Sequence, residues 1–527
     1  MALIVEQKPL YKTLAAGQEV VFVINESTGN IVTQQENVNY TALLRVHTTQ
    51  ASSVSDTIGT FKATPNDAGV GIFDFSTILE NYVSPDYNGA DATIAQGQTS
   101  TSTWRGVDFE NNGLQQAYHP LHIIDRYCTA QNSIKYFSVF FGMEYLGGDL
   151  TTPNQVSNDP NLLAFSDIML MFNGVLYDTD ILTYGGSLSN LNNFGYNLVG
   201  VSDSNRKTYV LQNDSGTAQG QMLSDAPTTQ NALITDYGTL PFLNNINAGQ
   251  NSFYVGFDNE APQVVGFIRI KLFNSSDAQL GSSIDVSNRQ TTGGYSAISP
   301  DVGSSPYATT RLLYFGAFPA NLNGGYIADN STYADWNTHK SSTAYYTIQP
   351  FAQSASSPQI SIGEEYRINI VTGDCRYESI RLTWLNKHGT WDYYTFTKKS
   401  VRSLSTNRTN YTQLAGSWNN STYTNRAHTG GQKNFRVNSR ERIKINTDFV
   451  SEAEAIWFEQ LINSTEVYIL NGYNSDGGVI AAGNVNRYVE PTTVTTSSYV
   501  RKTKGNDKLI QYTFDIERAS NRRTQRV

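Results

Sequence analysis

Two histidines and a nearby acid are the first residues whose types and spacing invite a chemical reading. His119-Pro120-Leu121-His122 sets two imidazoles on one turn with Asp125 close behind, a spacing that suits two ligands of a divalent metal. No second histidine or cysteine pair completes the set, and loop histidines with hydrogen-bonded rings are the simpler reading. Tyr177-Asp178-Thr179-Asp180 offers two carboxylates to calcium. The glycine and terminal glutamate of an EF-hand loop are missing, so a solvated turn accounts for it. Cys128 and Cys375 lie 247 positions apart, which excludes a disulfide scaffold and every multi-cysteine zinc motif and leaves two buried thiols as the expectation. No metal site and no cofactor are expected.

Catalytic constellations fare no better. Glycoside cleavage needs two facing carboxylates with aromatic platforms for the sugar, but 46 acids among 24 Phe, 32 Tyr and 6 Trp let such a pair be drawn anywhere. Gly-x-Ser-x-Gly, the Gly-x-x-x-x-Gly-Lys-Ser/Thr phosphate loop and the dinucleotide fingerprint are all absent. The chain is therefore not expected to be an enzyme, and no catalytic, cofactor-binding or metal-binding residue is assigned. One charged feature remains, the tail Arg518-Ala519-Ser520-Asn521-Arg522-Arg523-Thr524-Gln525-Arg526-Val527. Its arginines suit phosphates or an acidic neighbouring subunit, and the second is preferred because the rest of the chain supplies the acid.

The supply of acid is uneven. The net charge of -9 divides into -16 over residues 1–350 (14 Lys or Arg, 30 Asp or Glu) and +7 over residues 351–527 (23 against 16). Only 16% of the 527 residues are charged while 12% are aromatic. That balance suits strands with one wet face joined by polar turns and argues against long charged helices. Glu6 and Lys8 interrupt the apolar start, so no secretory signal is expected, and no apolar run is long enough for a membrane-spanning helix.

The elements that must position any site are mostly strands. Val20–Ile24, Tyr40–Val46, Ile134–Tyr145, Val264–Phe273, Glu365–Val371, Ser379–Leu385, Trp391–Phe396, Glu441–Thr447, Val467–Leu470 and Leu509–Ile516 have strand character, several with clean alternation. Asn173-Gly174 between apolar flanks predicts a hairpin, and Asn386-Lys387-His388-Gly389 predicts a turn. Ser451 and Glu454 have capping-box spacing before Trp457, Phe458, Leu461 and Ile462 on one face, which predicts a helix over 451–463. A shorter helix with Thr77 and Glu80 as its capping box is expected near residue 78. Residues 84–116 and about 280–305 are expected to be long loops, and 180–235 shows no sustained period.

Taken together, Arg381–Phe396, the Trp457 helix, Ser464-Thr465-Glu466-Val467-Tyr468 entering a strand and the closing Gln511–Ala519 resemble the tail and baseplate structural proteins of tailed bacteriophages, with distal-tail-like sandwich modules. Phe73–Val83 and Phe141-Gly142-Met143-Glu144-Tyr145 resemble the same group. These are packing motifs, and the resemblance assigns no functional residue. It implies a structural virion protein, in the baseplate or at the tail tip, that assembles as a ring in the host cytoplasm and contacts other tail proteins. Alternatives are a fibre or spike protein that binds or cleaves host surface glycan in virus–host attachment, and a capsid or head-associated component. The expected partners are further copies of the chain and other tail or baseplate proteins, with host glycan the partner under the first alternative; no specific nucleic acid and no membrane span are expected. The fold expected is mainly β, with several immunoglobulin-like or jelly-roll-like β-sandwich domains, long loops and few short helices. The divisions expected are 1–225, 226–355 and 356–527.

Overall fold

The structure, a computed structural model, describes residues 3–9, 13–27, 32–33, 35–47, 55–86, 127–129, 132–146, 153–156, 169–175, 193–194, 209, 211, 213–214, 217–218, 220–244, 265–287, 289–291, 295–297, 312–323, 334–352, 360–371, 376–417, 421–425, 428–470, 489–502, 510–519 and 522–523. The fold is mainly β and contains several sheets, as the composition predicts. The chain forms two compact units. The first comprises Met1–Val371 with Leu385–Asp392 and Asp476–Gly478, and the second Thr372–Trp384, Tyr393–Ser475 and Val479–Val527.

The first unit begins with two sheets face to face. One runs in the order Asn193–Phe194, Leu3–Pro9, Val21–Glu26, Gly71–Asp74. The other runs Thr13–Ala15, Met169–Phe172, Ile134–Leu146, Glu36–His47, Ser55–Ala63, with Pro153–Val156 also on Ile134–Leu146. Alternation in Val21–Glu26 and Glu36–His47 sends Phe22, Ile24, Tyr40, Ala42 and Leu44 into the shared core. Phe22 meets Phe141 at 5.5 Å between ring centres, and Phe73 meets it at 5.8 Å. Each such ring removes roughly 150–250 Å² from water, so these aromatics dominate the packing.

A second pair of sheets follows in the same unit. The larger has the order Thr229–Ala232, Tyr366–Ile370, Tyr345–Ala352, Val265–Phe273, Gln279–Ser287, and the smaller Thr239–Leu243, Leu312–Gly316, Tyr127–Thr129. Trp336, from the helix Ala334–His339, packs edge-on against Tyr346, whose hydroxyl donates to the Ala317 carbonyl at 2.7 Å.

Three sequence expectations need correction here. The capping box at Thr77 and Glu80 does not form, because the helix spans Ser76–Glu80 and Thr77 therefore sits inside its first turn. Phe75 is the N-cap residue and contributes no side-chain cap, while Asp74 Oδ1 accepts the Ser76 N–H at 2.9 Å. The loop expected from about residue 280 opens instead as the strand Gln279–Ser287, paired with Val265–Phe273. Gly281, Ser282 and Ser283 are exposed while Ile284 and Val286 are buried, and Asn274 and Asp277 form the tight turn that starts it. Finally, Thr229–Ala232 is a strand inside the stretch that lacks a period, held by parallel pairing with Tyr366–Ile370. The Asn173-Gly174 hairpin falls partly outside the described residues. Within them, Met169–Phe172 pairs with Ile134–Phe137 and Thr13–Ala15.

The second unit holds most of an eight-stranded sheet, a two-stranded sheet of Gly416–Ser417 with Thr424–Asn425, and a helix. The order of the larger sheet is Trp391–Phe396, Ile380–Leu385, Val467–Leu470, Val489–Val494, Thr513–Arg518, Gly431–Asn446, Val401–Gln413, with Arg522–Arg523 also on Gly431–Asn446. The helix is Glu452–Asn463, and both capping-box bonds form. Glu454 N–H donates to Ser451 Oγ at 3.2 Å and Ser451 N–H to Glu454 Oε2 at 2.7 Å. Glu452 and Glu454 also place negative charge at the positive end of the helix dipole. Trp457, Phe458 and Leu461 face the sheet, with Trp384 and Trp457 4.9 Å apart and Phe458 4.9 Å from Tyr394 and 5.7 Å from Phe514.

Candidate assembly surface

The densest group of polar side chains surrounds the turn expected at Asn386–Gly389, and all of it belongs to the first unit. Asn386 Oδ1 accepts the N–H groups of His388 and Thr390, each at 3.0 Å, while Gly389 takes φ +76° to close the turn. Around it Ser224 Oγ donates to Asp392 Oδ1 at 2.5 Å, Lys387 Nζ lies 3.0 Å from Asp225, and Tyr209 donates to the same carboxylate. A Ser, a His and two Asp are therefore neighbours, yet the serine hydroxyl is committed to a carboxylate. The imidazole packs against Tyr209 with ring centres 4.4 Å apart and planes inclined at 50°, and its Nε2 lies 3.8 Å from Asp225. No nucleophile–base contact results, and the group is buried. What the arrangement does is lock the turn.

A long exposed ribbon belongs to the second unit. Val401–Gln413 and Gly431–Asn446 form an antiparallel ribbon of thirteen paired positions, from Val401↔Lys444 to Gln413↔Gly431. At about 3.3–3.4 Å per residue it extends roughly 43 Å. Only its base is supported, by Thr513–Arg518 alongside Arg442–Asn446 and by Arg522–Arg523 alongside Asn438–Ser439. Along Val401–Gln413 every residue except Tyr411 is exposed on both faces, and this strand is the sheet edge. Its outer N–H and C=O groups have no ladder partner among the described residues, which is the condition that lets another strand add on.

The ribbon is basic and carries apolar points. Residues 401–446 hold eight Lys or Arg against one Glu, while the rest of 351–527 holds fifteen of each sign, so the +7 of the C-terminal part resides here. At the base the cations are matched: Arg402 with Glu378 at 2.6 Å and Glu441 at 3.1 Å, Arg440 and Arg442 with Glu517 at 2.9 and 2.8 Å, and Arg518 with Glu441 and Glu490, both at 3.4 Å. The two guanidinium groups hold the Glu517 carboxyl below its ordinary range, Arg442 contributing most. Farther out the pairing stops. Arg408, Lys433 and Arg436 face no carboxylate among the described residues; Lys433 Nζ reaches only the His428 carbonyl and Gln413, and Arg436 reaches Asn438. Phe435 is the extra residue of a β-bulge between Thr409↔Arg436 and Asn410↔Asn434, and it stands 51% exposed against Tyr411. Leu404, at 58%, and Leu414, at 68%, are also bare.

The sequence reading assigned no element to residues 397–440. The usual signal, apolar residues on alternate positions, is missing because over Val401–Gln413 and residues 431–438 neither face of the ribbon is buried. What remained legible was β-forming composition, Val, Thr and Tyr without Pro, and the local excess of cations. Of the residues weighed on sequence, His119, His122, Asp125, Asp178, Asp180 and Cys375 lie outside the described residues, as do 87–116 of the expected loop. Cys128 lies in the strand Tyr127–Thr129. The basic tail is divided: Arg518 is bound into the sheet, and Arg522–Arg523 forms the strand that flanks the ribbon. Among the described residues no three His, Cys, Asp or Glu side chains cluster as metal ligands, and no helix is long and apolar enough to cross a membrane. Compared with protein-family models and with curated proteins, the chain matches none.

Proposed function

We propose that this chain is a non-enzymatic structural component of a bacteriophage tail, placed in the baseplate or at the tail tip, that works by assembling with copies of itself and with other tail proteins. The observation that carries the reading is the ribbon of the second unit, a long two-stranded element whose outer part has neither face buried. An isolated two-stranded ribbon is marginal in water, so its extension beyond the sheet makes physical sense when a neighbour completes it. The resemblance of Arg381–Phe396 and Gln511–Ala519 to tail structural proteins supplies the particle context.

The test is direct. Purified full-length chain is followed by light scattering and negative-stain imaging, and intact particles are labelled with antibody. Rings or other large species, with label on the tail, are the expected result. A chain that stays monomeric at every concentration and is missing from purified particles would remove the proposal, and label on the head would move the protein to the capsid.

A further inference from the structure

Resting on that reading, we propose that the outer half of the ribbon is the self-association element of the chain, and that its occupant is a second copy, engaged through acidic side chains of residues 1–350. Three observations point the same way. The edge strand Val401–Gln413 offers unpaired backbone groups to another chain. Arg408, Lys433 and Arg436 stand along the outer half without carboxylate partners among the described residues, whereas the cations at the base are paired within the unit. Acid for the outer three is scarce nearby, since 401–446 holds only Glu441, but residues 1–350 carry a net -16.

The apolar points complete the picture. Phe435 and Tyr411 lie among these cations, with Leu404 nearer the base, so docking would bury side chains as well as match charge. Residues 407–413 and 431–438 number fifteen, the larger part of the roughly 20–30 residues per side of a standard interface. The bulge at Phe435 twists the ribbon and turns that ring outward, as an anchor requires. Opposite charge then sets the encounter and its salt dependence, while backbone pairing and the buried rings hold the complex.

Two variants of the full-length chain test this. In the first, Arg408→Glu, Lys433→Glu and Arg436→Glu reverse the three outer cations at exposed or half-exposed positions. In the second, residues 408–437 are replaced by Asn-Gly joining Asn407 to Asn438, which face each other in the ribbon and can close on a two-residue turn. Both variants are checked for native circular dichroism. Sedimentation velocity at low and high salt should show wild-type association that weakens as salt rises, and a loss of about tenfold or more in affinity for either variant. Zero-length carboxyl–amine crosslinking of a mixture of isotopically light and heavy chains should join Lys433 to an acid within residues 1–350 of the other copy.

Wild-type assembly equalled by both variants would overturn the inference and leave the assembly proposal standing. A wild-type chain that never associates would remove both. Lys433 crosslinks confined to one copy would also overturn the inference. So would a monomeric wild-type chain that binds a 30-base-pair DNA duplex in a salt-sensitive way that the triple glutamate variant loses, since the ribbon would then be reading phosphates.

Discussion

Gly389 is the position where one methyl group should do the most damage. Its φ of +76° lies in the left-handed region, where a Cβ costs about 1–2 kcal/mol. A Cβ built there also sits 1.7 Å from the Asn173 carbonyl oxygen, where ordinary contact begins near 3.4 Å. The turn would have to retreat by about 1.7 Å, and its neighbours resist. Val175 N–H donates to the Lys387 carbonyl at 2.7 Å, and Asn386 closes the turn with four further bonds. Losing one or two buried bonds at about 1–1.5 kcal/mol each brings the expected cost of Gly389→Ala to about 2–5 kcal/mol. Gly431 isolates the backbone component, since its φ is +90° and nothing lies within 4 Å of its Cβ position. Gly431→Ala should therefore cost only about 1–2 kcal/mol. Asn tolerates the left-handed region, so Gly389→Asn should be nearly as damaging as Ala if the clash dominates. Hydrogen exchange read by mass spectrometry on peptides covering 169–175 and 385–392 reports the opening, and protection there should fall about thirty-fold or more for both Gly389 variants. Equal, small losses at Gly389 and Gly431, or full recovery with Asn, would refute the steric argument.

Other expectations follow from the same contacts. Because Arg442 and Arg440 lower the folded-state pKa of Glu517, its contribution is present above the ordinary carboxylate range and fades as pH falls through the lowered value; Glu517→Gln should flatten the acid limb of the second unit's stability curve, read by Trp384 and Trp457 fluorescence. Burial pushes the Tyr366 and Tyr394 phenols well above 10, so the neutral forms stabilise the fold below that pH and the contribution fades as pH rises above it; absorbance at the phenolate band should show both titrating only with alkaline unfolding. Trp384→Ala removes a ring packed on Trp457 and Phe458 and should cost about 3–5 kcal/mol in urea titration. Ser451→Ala removes half of the capping box and should cost about 1 kcal/mol in the same assay.

The sequence by itself determined the β class, most strand positions and the one long helix, because each rests on local physics. Alternation marks Glu36–His47 and Tyr366–Ile370 since one face of each is buried, and the Ser451–Glu454 box is formed by neighbours in the chain. It also revealed that the C-terminal part is basic. Only the tertiary structure decided where that charge goes. The strand Gln279–Ser287 looks like a loop until Val265–Phe273 pairs with it, and the Asn386–Gly389 turn gains its lock from Ser224, Asp225 and Asn173, far away in sequence. The ribbon is the clearest case. Strands exposed on both faces carry no apolar period to read, and the pairing of Val401–Gln413 with Gly431–Asn446, which gathers the cations along one projecting edge, exists only in three dimensions.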